Sequence, residues 1–578
     1  MTNDDIAEIL DTIGQLLELK GENPFKTRAY GNGARALQGL SEPVIQLIER
    51  DELKNIDGIG KALLEKITTL AQTGTLPYYE NLRAEFPEGI LELLSLNGLG
   101  PKKAKALYTT LNVGSLDDLE AACQSGKVAS LSGFGKKTAE KLLGAIEQHR
   151  QYSGQFRYAD VIERAEDLVA LLRTHPDVIR ISIAGSLRRG KEVVKDMDLI
   201  ASSNNPNALM TAFVEMDDVE NVINHGETKS SVRLSGGLQC DLRVVDDETY
   251  PAALHHFTGS KEHNVIIRRR AKEKKLKVSE WGVIDTSGPK EKKLPCRDEA
   301  ELFNHLDLNY ISPELRENMG EIEASTSDSL PKLVEWEELR GCFHNHTTAS
   351  DGKNTLQEMA EAAASVGLEY FGISDHSKSS VQANGLSEDR LLSQIEEIRE
   401  LNRELSRDIH VFSGVECDIL KDGSLDYSDE ILAQLDYVVA SVHSSFTLSE
   451  KEQTRRICKA MDNPYVTMLG HPTGRILLER EAYALNMEKV LKHAAKTGTW
   501  VELNASPYRL DLDWRHWKTA RDLGVRCVIN PDAHRVSQIG SLKPAISIAR
   551  KGWLRKKDII NCLTLREIEK EFAVKRNR

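Results

Sequence analysis

With 578 residues, 40% of them hydrophobic and 29% charged, the chain is too long for one core and has the composition of a soluble, folded, multidomain protein. Eight cysteines lie scattered without a close CxxC pair, no stretch reaches membrane-spanning length, and the start MTNDDIAEILDTIGQLLELK has acidic and apolar residues at helical spacing, unlike a secretion signal. A reducing, cytoplasmic setting is expected, and the net charge of −13 does not exclude nucleic acid, because binding follows local positive clusters rather than the sum over unlike domains.

The first 150 residues hold a short internal repeat: LKNIDGIGKALLEKI from Leu53, LLSLNGLGPKKAKAL from Leu93 and VASLSGFGKKTAEKL from Val128. Each copy is an apolar residue, a tight Gly-x-Gly turn (Gly58 and Gly60, Gly98 and Gly100, Gly133 and Gly135) and a basic helix. Glycine lets the backbone approach a phosphate, and the amides opening the next helix supply donors and positive dipole. One copy reads as a plain turn between packed helices. Three copies with lysines behind the turn resemble the helix-hairpin-helix, which holds DNA phosphates without reading bases. NPFKTRAY at 23–30, with the first repeat, resembles the small domain of family X DNA polymerases that binds the 5′ phosphate at a gap. That resemblance puts Lys66 at the lyase lysine and Lys26 as a second phosphate contact. A Schiff base would require a depressed amine pKa, so phosphate contact is the expectation for Lys66.

Between Ile179 and Asp241 the segments IRISIAGSLRRG, KDMDLI and LQCDLRVV read as strand, glycine turn, basic helix start and two acidic strands. Asp196 and Asp198, two apart on a strand, share a face, and Asp241 on a later strand completes an oxygen triad suited to magnesium. Gly185 and Ser186 open a turn into Arg188 and Arg189, so amides, a hydroxyl and guanidinium groups face a polyphosphate. DxD alone is common, but behind GSLRRG it resembles the nucleotidyltransferase palm of family X DNA polymerases. The resemblance implies that Ser186 and Arg189 bind the incoming triphosphate and that Asp196, Asp198 and Asp241 hold two metal ions. Downstream, HHFTGSKEHNVIIRR resembles the family's thumb motif YFTGS and brings Phe257, Gly259, Asn264 and Arg268 to the nucleotide. His256 stands where many relatives have tyrosine beside the sugar, so discrimination between sugars does not carry over. From Lys261 to Lys277 eight Lys or Arg face two Glu, a basic helix that by itself reads as a solvated face.

In the last 240 or so residues, apolar runs end successively in HNH (His344, His346), SDH (His376), GVE (Glu416), SVH (His443), GHP (His471) and DAH (Asp532, His534), with Asp351 in the loop after HNH. Parallel barrels collect chemistry at the carboxyl ends of their strands, and intervening segments such as LQEMAEAAASVG have helical periodicity. Any one of these histidines reads as an ordinary residue, but nine ligands in step read as a cluster of two or three ions able to hold a phosphodiester and activate water. This half resembles the PHP (polymerase and histidinol phosphatase) family, whose distorted seven-stranded barrel carries a trinuclear site for phosphoester hydrolysis. The resemblance implies His344, His346, Asp351, His376, Glu416, His443, His471, Asp532 and His534 as ligands, with no position replaced.

The order of the resemblances is that of bacterial family X DNA polymerases with a PHP domain. They imply a multidomain α and α/β chain: helical helix-hairpin-helix domains at 1–85 and 86–150, a nucleotidyltransferase palm with a mixed sheet at 151–250, a thumb at 251–320, a linker at 321–340 and a distorted (β/α)7 barrel at 341–578. The expected function is a DNA repair polymerase filling short gaps, with a 3′-5′ exonuclease in the barrel. Two magnesium ions are expected in the palm and two or three manganese or zinc ions in the barrel, with gapped or primed DNA and deoxynucleoside triphosphates as partners and a monomer as the assembly. Two alternatives stand beside it: a PHP abasic-site endonuclease or phosphatase on a weakly active transferase core, and a non-catalytic DNA-end scaffold.

Overall fold

Apolar residues at helical spacing make the first of two compact units, Met1–Ser153, helical, with one apolar cluster running from Ile6 and Leu10 through Leu63 and Leu93 to Ile146. The structure, a computed structural model, describes residues 1, 3–38, 40, 43–96, 98–405 and 409–576. The repeated sequence folds the same way each time. Its first glycine takes a left-handed φ of +88° (Gly58), +83° (Gly98) or +85° (Gly133), and its second caps the helices Lys61–Thr73, Pro101–Leu111 and Lys136–Tyr152. A Cβ at Gly60, Gly98, Gly100, Gly133 or Gly135 would meet nothing within 4 Å, so these turns present bare backbone.

The second unit, Gly154–Arg578, starts with a mixed five-stranded sheet in the spatial order Val178–Ile183, Asp196–Ser203, Gln239–Val245, Lys229–Leu234, Val219–His225. Asp196–Ser203 and Gln239–Val245 run parallel, with Asp198 directly opposite Asp241. Strand alternation puts Met197, Leu199, Cys240 and Leu242 on the face packed against the helices Tyr158–Arg173 and Pro206–Val214. Ile200, on the other face, packs with Ala253 and Leu254 of helix Tyr250–Thr258, so Asp196, Asp198 and Asp241 share that second face. Next come helix Lys261–Glu273, a three-stranded antiparallel sheet (Leu276–Ser279, Gly282–Asp285, Lys292–Leu294) and helix Glu299–Asn304, around a core that includes Ile267, Val283 and Phe303. Residues 321–340 are folded against their neighbours, with Glu321 and Val334 buried.

Seven parallel strands then follow in sequence order: Gly341–Cys342, Tyr370–Ile373, His410–Asp418, Tyr437–Ser441, Met468–Leu469, Trp500–Asn504 and Cys527–Asn530. First and last are joined by an isolated bridge, Asn345 to Ala533, and by Asn561, whose Nδ2 donates to the carbonyls of both Gly341 (2.8 Å) and Ile529 (2.7 Å). A nearly closed barrel results, as the sequence implied. Its base is filled by an aromatic cluster of Phe343, Tyr370, Phe412, Tyr437, Trp500 and, from the carboxyl-terminal helix Leu565–Arg576, Phe572. Among the described residues no helix is long and apolar enough to cross a membrane.

Candidate active sites and nucleic-acid contacts

The barrel brings all nine sequence-predicted ligands to the carboxyl rim of its strands. They fall into four overlapping groups whose donor atoms lie within 4.8 Å of one another: His346, Asp351, His376 and His534; His344, His346 and Glu416; His344, His471 and Asp532; His376, Glu416 and His443. Glu416 is the hub. Its Oε1 lies 2.9 Å from His471 Nε2, 3.1 Å from His443 Nε2 and 3.3 Å from His344 Nε2, and its Oε2 lies 3.0 Å from His376 Nδ1. Asp532 Oδ1 is 3.2 Å from His346 Nε2, and Asp351 Oδ1 is 3.4 Å from His534 Nε2. Burial alone would raise the Glu416 carboxyl, but the imidazoles of His443, His344 and His376 hold it well below the usual range. Asp532 is held low against the same burial by His344, His346 and His534.

This donor set fits divalent metal ions. His344 Nε2 and His376 Nδ1 are buried, close to Glu416 oxygens, and yet misaligned for any hydrogen bond, which is the geometry of lone pairs converging on a shared point. Asp532 (φ +53°) and His471 (φ +22°) hold left-handed backbone conformations that are costly outside glycine and concentrate at functional sites.

In the palm, the three aspartates crowd one sheet face. Burial and then the neighbouring Asp196 and Asp241 push Asp198 up to about 6, a like-charge strain that a divalent cation would relieve. Asp241 is kept low, despite its burial, by hydrogen bonds from Lys229, Gln239 and Ser231; Lys229 Nζ lies 2.5 Å from its Oδ2. Gly185, at φ +63°, lies so close that a Cβ would stand 2.3 Å from Asp198 Oδ2, so the turn and the carboxylates form one surface. Of the two arginines in GSLRRG, Arg188 is committed to Glu299 (2.7 Å) and the Thr258 hydroxyl (2.7 Å). Arg189 pairs with Glu317 at 2.9 Å and donates to the Thr258 carbonyl at 2.5 Å, beside Gly259. Arg243 stacks 4.4 Å over Phe257, Asn264 Nδ2 donates to the His256 carbonyl at 2.8 Å, Ser186 is half-buried and Arg268 is exposed.

Family models match along the chain: "Helix-hairpin-helix domain" at residues 1–76, "SAM-like Helix-hairpin-helix tandem" at 90–147, "DNA polymerase beta thumb" at 253–317 and "PHP domain" at 343–506. A curated relative, the DNA polymerase/3′-5′ exonuclease PolX of Bacillus subtilis (strain 168), is 40% identical over 571 residues, which cover 98% of this chain and 99% of the relative. The chain belongs to the PolX family of DNA polymerases. Its barrel alone also resembles smaller proteins: a probable phosphatase of Acetivibrio thermocellus, 31% identical over 34% of this chain and 80% of that protein, and one of Thermoanaerobacter sp. (strain X514), 29% identical over 38% and 88%.

Around these PolX-family centres the structure adds residues that the sequence reading missed. Glu502 Oε1 lies 2.7 Å from His344 Nδ1, and Asp418 Oδ1 lies 2.8 Å from His443 Nδ1, each fixing an imidazole so that its other nitrogen faces the cluster. Asp418 carried a signal, because GVECD is an apolar run ending in an acid, whereas Glu502 lies inside the strand WVELN between Val501 and Leu503. Arg509 sits at the rim with Nε 3.6 Å from Asp532 Oδ2 and a buried, unpartnered Nη1, and nothing in its sequence context marked it. In the helical unit, Lys66 lies 4.8 Å over the Tyr78 ring, and Lys26 is half-exposed beside Glu22 at 3.4 Å.

Proposed function

We propose that the protein is a DNA repair polymerase that fills short gaps by template-directed nucleotidyl transfer and trims 3′ ends at a separate exonuclease site in its barrel. The observation that carries this reading is the presence in one chain of a three-carboxylate palm beside its glycine turn and a barrel rim with all nine ligands gathered. In the palm, Asp196, Asp198 and Asp241 would hold two magnesium ions, whose positive charge would favour attack by a primer 3′ hydroxyl and departure of pyrophosphate. Gly185, Ser186 and Arg189 bind the triphosphate, and Phe257, Gly259, Asn264 and Arg268 line the remainder of the nucleotide pocket. Lys229 keeps Asp241 ionised and oriented.

In the barrel, the histidine-rich set would hold two or three manganese or zinc ions, which would supply Lewis acidity for phosphodiester cleavage. Glu502 and Asp418 hold the imidazoles in place, and Arg509, beside Asp532 at the rim, adds positive charge near the scissile phosphate. The turns at Gly58 and Gly60, Gly98 and Gly100, and Gly133 and Gly135 grip backbone phosphates of gapped or primed DNA, with Lys26 and Lys66 at the 5′ phosphate.

Two double variants test the division of labour. On gapped DNA with deoxynucleotides, Asp196→Ala with Asp198→Ala is expected to abolish extension and keep 3′-nucleotide release, and His344→Ala with His346→Ala to do the reverse. Extension by the first or undiminished release by the second would overturn the corresponding site. Cleavage of abasic or 3′-phosphate DNA in place of ordinary 3′ ends would move the barrel to the endonuclease or phosphatase reading.

A further inference from the structure

The palm loop that follows the glycine turn is fastened to the barrel at three closely spaced points. Lys551, the last residue of barrel helix Leu542–Lys551, donates from Nζ to the carbonyl oxygen of Arg189 at 2.9 Å. Ser547 of the same helix packs under Gly190, where a Cβ would stand 3.2 Å from its own. Glu192 accepts from Trp514 Nε1 at 2.8 Å and from Arg515 at 2.7 Å, both in barrel helix Trp514–Asp522. The first of these points also reaches the Arg189 side chain. Glu317 Oε1, which pairs with Arg189 Nε at 2.9 Å, is simultaneously 2.6 Å from Lys551 Nζ.

Lys551 is 1% exposed, and its ammonium lies 4.5 Å over the Trp514 ring. A lysine so deeply buried is tolerated only where partners replace water, and here the partners are the main chain of Arg189 and the carboxylate that aims the Arg189 guanidinium. Simple adhesion between palm and barrel is already supplied by Glu192, Ser547 and the Tyr158 hydroxyl on Ser547 at 3.0 Å, so adhesion alone gives no reason for a charge at this point.

We propose that Lys551 is a positioning residue for nucleotide binding: the exonuclease barrel sets where the palm presents Arg189 to the triphosphate. This rests on the reading of Arg189 as a triphosphate ligand. The barrel, far from the palm in sequence, is thereby tied to the polymerase site through one lysine, and loss of that lysine is felt there.

The test uses the full-length protein and a one-nucleotide-gap duplex with a templating thymine and a dideoxy-terminated primer, so that dATP affinity is read in magnesium without turnover. Lys551→Met is expected to weaken dATP binding by roughly tenfold, within the range of ordinary coupling between sites. On an extendable primer the loss should fall on KM more than on kcat, while gapped-DNA affinity and 3′-nucleotide release stay unchanged. Lys551→Arg should restore most of the affinity, and adding Lys551→Met to Arg189→Ala should cost less than about twofold beyond Arg189→Ala alone, because residues acting through one group are not additive. Unchanged dATP affinity in Lys551→Met, or an equal loss in the Arg189→Ala background, would overturn the proposal. If Arg189→Ala itself binds dATP normally, the triphosphate assignment fails first. Should Lys551→Met lose exonuclease activity through misfolding, Glu317→Gln carries the same expectation for dATP and the same refutation.

Discussion

Glu502 lies wholly buried beneath two of the barrel's ligands. Its Oε1 is 2.7 Å from His344 Nδ1 and accepts from Asn530 Nδ2 at 2.9 Å, while its Oε2 accepts the His471 amide at 2.5 Å. Burial would raise its carboxyl, but the His344 imidazole keeps it below its ordinary value, so an ionised oxygen faces Nδ1 and leaves Nε2 as the lone pair for an ion. Glu502→Gln is expected to lower the barrel's affinity for manganese or zinc by about 10–100-fold. Titration against a competing chelator reads this directly, and an unchanged affinity would remove Glu502 from the metal's support. This residue was within reach of the sequence, since it is an acid set between apolar neighbours on strand Trp500–Asn504. Lys229 was not: its contact with Asp241 exists only because their strands pair, Lys229 lying opposite Arg243.

At the scale of elements, Gly372 and Gly414 on neighbouring barrel strands both lie against the ring of Tyr437, whose hydroxyl donates to the carbonyls of Phe343 and Ile373. A Cβ at Gly414 would stand 2.2 Å from that ring, in the packed base where no atom has room to yield. Gly414→Ala should therefore destabilise the protein by about 1–3 kcal/mol, seen as a lowered thermal midpoint; a midpoint equal to that of the parent would show that the base is looser than its packing indicates. The ligands at strand ends were legible because an all-parallel barrel sends every carboxyl end to one rim. The strands themselves were less so. Gly341–Cys342 and Met468–Leu469 are too short for any alternation, and the closure between first and last strands rests in part on Asn561, far along the chain.

For the whole molecule, a net charge of −13 must coexist with the binding of a polyanion. The proposed clamps of the helical unit resolve this locally, with Lys102 and Lys103 behind Gly100 and Lys136 and Lys137 behind Gly135 all exposed in the first turn of their helices. Replacing these four lysines by alanine should weaken gapped-DNA binding and flatten its salt dependence, by about 0.9 in the slope of log K against log salt for each phosphate no longer neutralised. A slope identical to that of the parent would mean the turns do not hold DNA. The order of domains could be read from their motifs, because each carries its own local pattern. How the barrel seats on the palm could not, since Lys551 and Glu317, or Arg515 and Glu192, find each other only in the folded chain.

The aromatic base, with Phe572 among its rings, closes the end of the barrel away from the ligands, so in the proposed reaction both substrate and product use the rim.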